Sequence, residues 1–401
     1  MRSTISRFPL RRLSLFSALL CVVFTPMHAQ EEDYVRLHRE AVVVDGHNDV
    51  LGRVVSGTRV DVRGSTGHSD LPRFREGELD VQVFSIWVHP KKGVRDGWIS
   101  VRAQLDSLHA IAKRHPSQLR LVRTAREFDA ASAAGALAAV ISIEGSSALD
   151  GKPERIRELH AKGLRVFAPT WNYSVDWASS SVDEAAGKKS IGLTHHGKRL
   201  VRLLDSLGII LDISHLGARA AADALSVTRN PVIASHSSCA ALRPHHRNLT
   251  DEQLRTVAKR GGVVMINFFP PFLLSGMTSA KVAATRKLCT ALDILAAKHP
   301  RRGTAFLKEY DRLLASARKS GLPTLLDVAD HIDHAVRIAG AASVGLGSDF
   351  DGIPYAPAGL HDVTWLPMLT RELLRRGHSE GTVEGILGKN FLRVFRQVCK
   401  E

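Results

Sequence analysis

Residues 137–145 read LAAVISIEG, an apolar run that only Ser142 interrupts and that leads to a single carboxylate, Glu144. Seven further apolar runs occur along the chain, with helix-forming segments between them. Runs of Val, Ile, Leu and Ala of this length are typical of parallel strands that are buried on both faces. The predicted strands cover residues 42–48, 81–88, 137–144, 164–171, 208–215, 231–237, 261–268 and 343–349.

The repeated order of strand then helix predicts an α/β protein with a parallel sheet, and eight repeats predict closure into a (β/α)8 TIM-type barrel. An open doubly wound sheet is the alternative, but the Gly-rich phosphate-binding turn usual in that fold does not follow the first strand. Residues 273–321 contain no clear strand and are rich in Lys and Arg, which predicts a helical insertion before the last strand. Helices are also expected at 101–114, 153–162, 197–206, 218–225 and 251–259, with two more within 361–400.

The first 29 residues have the features of a secretory signal peptide, since four arginines precede an apolar segment at 13–24 and Ala29 offers a cleavage position. The domain prediction is therefore a signal peptide at 1–29 and a single catalytic barrel domain at 30–401. The mature protein is expected to be exported, either periplasmic or secreted. No stable membrane span is expected after cleavage, because no later apolar stretch approaches the ~18–20 residues that a membrane-spanning helix needs.

The charge of the chain is strongly positive, at +15, and removal of a signal segment with four arginines and no acid would lower it to +11. The basic residues are scattered and aromatic residues make up only 6% of the chain, so nucleic-acid binding is not predicted. An anionic envelope or carboxylate substrates are better partners for such a surface. Three cysteines would remain after cleavage, which excludes a disulfide framework as the source of stability.

The mouth of the barrel is where chemistry is expected, because side chains at the C-terminal ends of the strands converge there. Three imidazoles and two carboxylates stand at or just after the ends of the predicted strands. This donor set suits a pair of zinc ions. The five candidate metal ligands are His47, Asp49, Glu144, His215 and His236.

Each candidate ligand also has an ordinary structural interpretation. His47 and Asp49, two residues apart on one strand, face the same side and could simply form a hydrogen-bonded pair. Glu144 could be neutralised by an arginine, since a buried carboxylate needs a positive partner. His215 and His236 could be polar residues that are satisfied within the core. The recurrence at successive strand ends, and not any single residue, favours the metal interpretation.

Two further positions near the predicted mouth are candidates for acid–base and substrate-binding roles. Asp349 follows the last strand in SVGLGSDFDG and is expected to relay a proton to the leaving amine, while Asp351 is expected to be structural. Arg247 lies in the loop before a helix that Thr250 should cap. It is expected to hold a substrate carboxylate through two parallel hydrogen bonds, with a solvated surface arginine as the alternative.

Taken together, these motifs make the chain similar to the membrane (renal) dipeptidase family of zinc peptidases, family M19. The matching motifs are DGHND at 45–49, IEG at 143–145, DISH at 212–215, SHSS at 235–238, RN at 247–248, VMINF at 264–268 and GSDFDG at 347–352. The resemblance implies a (β/α)8 barrel of the metal-dependent hydrolase type with two zinc ions. It implies that His47 and Asp49 bind one ion, that His215 and His236 bind the other, and that Glu144 bridges them.

The resemblance also implies an activity. The family hydrolyses dipeptides, tolerates a D-residue in the second position, and includes members that open β-lactam rings. By position, Arg247 matches the residue that binds the C-terminal carboxylate and Asp349 matches the acid that handles the proton. The implied reaction is attack on the peptide carbonyl by a hydroxide that bridges the two metals. Family members often form homodimers, and this chain is expected to do the same.

One position departs from the family pattern. Better-known members have a histidine after the fourth strand that contacts and helps polarise the substrate, whereas this chain has Trp171 in FAPTWNYSVDW. An indole can donate one hydrogen bond but cannot titrate. Trp171 is therefore expected to alter substrate preference and rate, and the neighbouring Asn172 is a candidate polar contact.

Two alternative functions use the same residues. The first is a related binuclear-metal hydrolase that acts on a lactone, a cyclic amide, a β-lactam or a phosphoester. The second is a zinc-holding envelope binding protein without turnover, for which a proton-relaying Asp349 would have no use. Assays of dipeptides beside lactones and β-lactams distinguish these alternatives.

Overall fold

The computed structural model describes residues 27–400, with side chains described from residue 33 onward. The segment 1–29, expected to be a signal peptide, lies almost wholly outside the described residues, and only its last three residues fall within the first helix. Within residues 27–400, no helix is both long enough and apolar enough to cross a membrane.

All eight predicted strands are present, together with one short additional strand, β3. The strands are β1 (Val44–Asn48), β2 (Val81–Trp87), β3 (Leu119–Leu121), β4 (Leu137–Glu144), β5 (Leu164–Ala168), β6 (Ile210–Leu211), β7 (Ile233–Ala234), β8 (Val263–Asn267) and β9 (Val344–Gly347). Every pairing between them is parallel.

Helices follow nearly every strand and form the outer layer of the fold. They are α1 (Met27–Glu40), α2 (Val50–Val55), α3 (Leu71–Glu76), α4 (Gly93–Arg114), α5 (Ala125–Ala133), α6 (Pro153–Ala161), α7 (Ser181–Ala185), α8 (His195–Leu207), α9 (Ala218–Val227), α10 (Asp251–Lys259), α11 (Pro270–Leu273), α12 (Ser279–Lys298), α13 (Thr304–Lys319), α14 (Leu325–Ala339), α15 (Leu366–Arg375), α16 (Glu380–Glu384) and α17 (Asn390–Val398). The long helices α12 and α13 confirm the predicted insertion. Thr250 caps α10 through a reciprocal capping box with Gln253, as expected.

The barrel consists of two sheets that meet at two seams. One sheet has the order β1-β2-β4-β5-β6, with β3 beside β4, and the other has the order β7-β8-β9. At the β6–β7 seam, the Ile213 N–H donates to the Ile233 carbonyl at 2.9 Å. At the β9–β1 seam, the Asp49 N–H donates to the Phe350 carbonyl at 2.9 Å. Parallel pairing therefore continues around a closed ring, which confirms the (β/α)8 barrel and excludes the open sheet.

All the predicted strands except β4 are shorter than expected, and for three of them the reason is identifiable. β5 ends at Ala168 because the next residue, Pro169, has no N–H to donate to a ladder. β6 and β7 contain only two residues each. Beside them the buried Asp212 carboxylate accepts the backbone N–H groups of Ser214 at 3.0 Å and Ser235 at 2.9 Å. These side-chain bonds take the place of ladder hydrogen bonds, so regular pairing stops early.

Candidate metal centre

The five predicted ligands all lie at the C-terminal mouth of the barrel. His47 is in β1 and Glu144 is the last residue of β4, while His215 and His236 follow β6 and β7. Asp49 occupies the N-cap position of α2, yet its side chain makes no capping hydrogen bond. Its carboxylate is therefore available to face the same mouth as the others.

Glu144 stands at the centre of the group. Its Oε1 lies 2.7 Å from His215 Nε2 and 3.3 Å from His236 Nε2. Its Oε2 lies 3.6 Å from His47 Nε2, which in turn is 3.3 Å from Asp49 Oδ2. Two triads result, and within each the ligand atoms lie within 4.8 Å of one another: Glu144–His215–His236 and His47–Asp49–Glu144. One carboxylate thus serves both triads, each through a different oxygen.

Another triad, His47–Asp212–His236, meets the same distance condition. Its acidic member is already engaged, because both Asp212 oxygens accept hydrogen bonds from residues 214 and 235. A metal ion there would compete with these bonds. We therefore consider the two triads that share Glu144 as the candidate sites.

The chemistry of these side chains fits divalent cations. His47 Nδ1 and Nε2, His215 Nδ1 and Asp49 Oδ1 are buried and make no hydrogen bond to any described residue. Burying such atoms without a partner is costly, and a metal ion would satisfy those that face the mouth. Each triad offers three nitrogen and oxygen donors. Catalytic zinc sites typically have three such protein ligands and keep the fourth tetrahedral position for water or substrate.

The electrostatics of the site point the same way. Burial lowers the pKa of His215 to about 4 and lowers the pKa of His236 well below its ordinary value. Both rings are therefore neutral at pH 7, which is the form that binds metals. Burial alone would also lower the pKa of His47, but the Asp49 and Glu144 carboxylates raise it well above its ordinary value. The two carboxylates thus attract positive charge, which a divalent cation would supply.

Asp349 lies at the same mouth, after β9. Its backbone has a positive φ of 62°, and its Oδ2 accepts a hydrogen bond from Asn267 Nδ2 at 3.0 Å. Burial raises the pKa of Asp349 to about 7, and the Asp49 and Glu144 carboxylates add to this effect. An acid with this pKa can both accept and donate a proton near neutral pH. Asn267, which holds it, was not singled out from the sequence.

Arg247 is buried beside the ligands rather than solvated at the surface. Its guanidinium donates to the Ser214 carbonyl and, at 3.2 Å, to the His236 carbonyl, while its Nε has no hydrogen-bond partner. Within residues 27–400, no carboxylate lies within ion-pair distance of it, and burial lowers the pKa of Arg247 to about 10. A buried cation without an acidic partner favours an anionic ligand.

A cavity of about 410 Å³ opens above the ligands, and five large apolar side chains line it together with polar and charged residues. Trp171 and Asn172, the two substrate contacts predicted from the sequence, both line it. The Trp171 ring packs edge-on against Trp87, with ring centroids 4.9 Å apart. Further lining residues that were not anticipated are Trp87, Phe269, Phe272 and Ile353. Trp87 ends β2, so the strand-end argument used for Glu144 would have found it.

Asp351 connects the mouth to the preceding loop and contacts none of the five ligands. Its carboxylate accepts hydrogen bonds from Arg53 at 2.6 Å, from the His68 N–H at 2.9 Å and from the Ser69 hydroxyl at 2.5 Å. Burial would raise its pKa, but the hydrogen bonds with His68 and Ser69 outweigh burial and lower the pKa of Asp351 to about 2. These contacts agree with a structural role.

Asp351 should make the stability of the protein sensitive to acid. A carboxyl whose folded pKa is below its ordinary 3.8 contributes its full stability above pH 3.8 and loses it as the pH falls toward 2. The contribution is roughly 2 kcal/mol. We expect Asp351→Asn to lower the free energy of unfolding at pH 7 and to flatten its decline below pH 4, as measured by urea denaturation across this range.

Asp61 provides the matched control for that experiment. Its pKa is also lowered to about 2, mainly by hydrogen bonding with Arg59, but the pair is at the surface. Solvent screens such pairs, so Asp61→Asn should change stability little at any pH. Equal effects of the two substitutions would contradict the structural role of Asp351.

Comparisons with known proteins agree with the motifs. The model of a family described as membrane dipeptidase, peptidase family M19, matches residues 31–400. An uncharacterised dipeptidase of Schizosaccharomyces pombe, C965.12, is 29% identical over 392 residues, covering 92% of this chain and 83% of the relative.

Solved structures are similar over the same length. The probable dipeptidase PvdM from Pseudomonas aeruginosa has 25% identity and a TM-score of 0.76, covering 92% of this chain and 98% of that one. A metallopeptidase from Rhodobacter sphaeroides, liganded with a phosphinate mimic of the dipeptide L-Ala-D-Ala, has 25% identity and a TM-score of 0.73. It covers 90% of this chain and all of its own.

Proposed function

Because the chain belongs to the membrane dipeptidase family, peptidase family M19, we propose that it hydrolyses dipeptides with two zinc ions bound at the barrel mouth. The observation that carries the proposal is the position of Glu144, whose two oxygens face two separate histidine-containing triads. Asp49 completes the His47 triad, and His215 and His236 complete the other. The substrates proposed are L-L and L-D dipeptides with a free C-terminal carboxylate. Acceptance of L-D dipeptides is supported by similarity to the Rhodobacter sphaeroides metallopeptidase that holds a mimic of L-Ala-D-Ala.

The site residues have different roles in the proposed hydrolysis. Bound zinc would activate water near neutral pH and polarise the scissile carbonyl. The Asp349 carboxylate accepts a proton from the attacking water and then donates it to the leaving amine. Asn267 holds one Asp349 oxygen at 3.0 Å and so orients the carboxylate. Arg247 pairs with the substrate carboxylate, and Trp171, Asn172 and the remaining cavity wall enclose the side chains.

A metal analysis combined with a substrate panel tests this proposal. Purified protein should contain two zinc ions per chain and should hydrolyse both L-L and L-D dipeptides, with activity lost on chelation and restored by zinc. The panel includes a lactone, a cyclic amide and a β-lactam, since Trp171 replaces the family histidine and could shift the substrate. Faster turnover of any of these than of every dipeptide would favour the alternative binuclear hydrolase. Metal binding without turnover would favour a binding protein.

Arg247 should discriminate between free and blocked C-termini. Arg247→Lys keeps the charge but loses the paired geometry, and a charge-assisted hydrogen bond is worth about 1.5–3 kcal/mol. We expect kcat/KM for free-acid dipeptides to fall roughly 10- to 100-fold, mostly through KM. Because Arg247 also holds two backbone carbonyls, dipeptide amides serve as the control substrate. An equal loss on acids and amides would show a structural role alone.

We also propose that the protein is exported and acts as a homodimer. Export rests on the signal-like residues 1–29, and dimerisation rests on the family resemblance. Detection of the mature N-terminus near residue 30 in the periplasmic or secreted fraction tests the first. Light scattering on the purified protein tests the second.

A further inference from the structure

Each of the two barrel seams is tied by a buried aspartate and a serine. At the β6–β7 seam, the Asp212 carboxylate accepts the Ser235 N–H at 2.9 Å and the Ser235 hydroxyl at 2.5 Å. At the β9–β1 seam, the Asp45 carboxylate accepts the Ser348 N–H at 2.7 Å and the Ser348 hydroxyl at 2.6 Å. All four side chains are buried. The same device therefore closes the barrel twice.

The two pairs differ in what the serine touches next. Ser235 Oγ lies 2.7 Å from Nδ1 of His236, whose Nε2 faces Glu144 Oε1 at 3.3 Å. Ser348 Oγ contacts main-chain groups instead: it lies 3.3 Å from the His47 carbonyl and accepts the Phe350 N–H at 3.0 Å, and it makes no hydrogen bond to an imidazole ring. One seam thus connects to a candidate metal ligand through a ring nitrogen, and the other does not.

The direction of these hydrogen bonds follows from the number of hydrogens available. Ser235 has one hydroxyl hydrogen, and the 2.5 Å contact directs it to the Asp212 carboxylate, which can only accept. Its oxygen must then accept from His236, so the hydrogen of the neutral imidazole is on Nδ1. The lone pair is left on Nε2, the atom that faces Glu144 and lies 3.0 Å from His215 Nε2.

We propose that Asp212 and Ser235 are positioning residues that hold His236 in its metal-binding tautomer and orientation. The inference rests on the proposed zinc site and deepens it. Such outer partners of a histidine ligand typically contribute 10- to 100-fold to metal affinity. His47 and His215 have no such support, because their Nδ1 atoms make no hydrogen bond to a described residue. His236 is therefore the imidazole whose ring the protein orients before metal binds.

Paired substitutions at the two seams test the proposal. Ser235→Ala and Ser348→Ala each remove one buried serine–carboxylate bond, so both should lower the free energy of unfolding by similar amounts. Only Ser235→Ala should weaken zinc binding, by about 10- to 100-fold at one of the two sites. Competition titrations of zinc against a chelator measure this affinity without reference to catalysis.

A second pair of substitutions, Asp→Asn at each seam, preserves the shape of the side chains and reverses the direction of the hydrogen bond to the serine hydroxyl. In Asp212→Asn the new amide can donate to Ser235 Oγ, which frees the hydroxyl hydrogen for His236 Nδ1 and moves the ring hydrogen to Nε2. Zinc affinity should fall about 10-fold or more while the fold is kept. Asp45→Asn is the matched control and should leave both zinc affinities unchanged.

Nitrogen-15 NMR of histidine-labelled, metal-free protein reads the tautomer directly, with the His236 signals assigned by their loss in His236→Gln. The wild-type protein should show a protonated Nδ1, and Asp212→Asn a protonated Nε2. Wild-type zinc affinity in both Ser235→Ala and Asp212→Asn, or a hydrogen on Nε2 in the wild type, would overturn the inference. A wild-type protein that binds no zinc would instead contradict the proposed function.

Discussion

Glu144→Gln is expected to abolish binding of both zinc ions under conditions where the wild type binds two. Glu144 Oε1 faces His215 and His236, while Oε2 faces His47. An amide has one acceptor oxygen and no charge, so it cannot serve both triads. Loss of several kcal/mol of metal-based stabilisation corresponds to at least roughly a 1,000-fold fall in kcat/KM. Metal content by mass spectrometry and dipeptide turnover measure the two effects.

Glu372→Gln is the matched control, because it changes the same group at another buried position. Glu372 is on α15, where it pairs with Arg375 and Arg376 at 2.7 and 2.6 Å, and contacts none of the five ligands. It should lower stability, since it replaces the charge-assisted hydrogen bonds of a buried carboxylate by neutral ones, although Arg376 keeps its ion pairs with Asp330 and Asp333. Its zinc content should equal that of the wild type. Retention of two zinc ions by Glu144→Gln would remove Glu144 from the metal centre.

Asp349→Asn should separate metal binding from turnover. The amide keeps the size of the side chain and can still contact Asn267, but it cannot carry the proton from water to the leaving amine. General acid–base catalysis contributes about 100- to 10,000-fold, and we expect a fall in kcat within that range. Zinc content should remain at two ions per chain, because Asp349 belongs to neither triad.

Backbone strain must be separated from chemistry at this position. Asp349 has a φ of 62°, a conformation that Asp and Asn tolerate better than most residues. Asp150 has a φ of 56° and lies outside the site, so Asp150→Asn tests the same exchange in the same backbone conformation. It should leave kcat unchanged. Full activity of Asp349→Asn would exclude this residue as the proton relay.

The strand-end pattern predicted much of the site because it depends on local geometry. Parallel strands in a barrel all point their C-terminal ends at one mouth, so an apolar run followed by His, Asp or Glu is enough to place that side chain. The rule placed Glu144 and His215 correctly at the mouth, and it would have placed Trp87 had aromatic residues been considered. It cannot place residues beyond the strand ends, such as Phe272 in the short helix α11 and Ile353 in a loop, whose positions depend on how these segments pack.

The hydrogen bonds at the two barrel seams could not be predicted from the sequence, because they too depend on tertiary packing. The apolar runs at 208–215 and 231–237 predict full strands, yet the structure contains two-residue strands there. Asp212 looks like an interruption in one run, and nothing local indicates that its carboxylate bonds across to Ser235. A side chain that replaces ladder hydrogen bonds can be recognised only when both strands are in place.

The sequence alone predicted the alternation of strands and helices, the barrel, the candidate ligands and the family. These could be predicted because periodicity and residue type are local properties. The tertiary structure alone decided which Glu144 oxygen faces which histidine, that Arg247 is buried without an acid, and that Asp212 bonds across the seam to Ser235. These depend on strand register and barrel closure, which bring residues nearly one hundred positions apart within 4 Å.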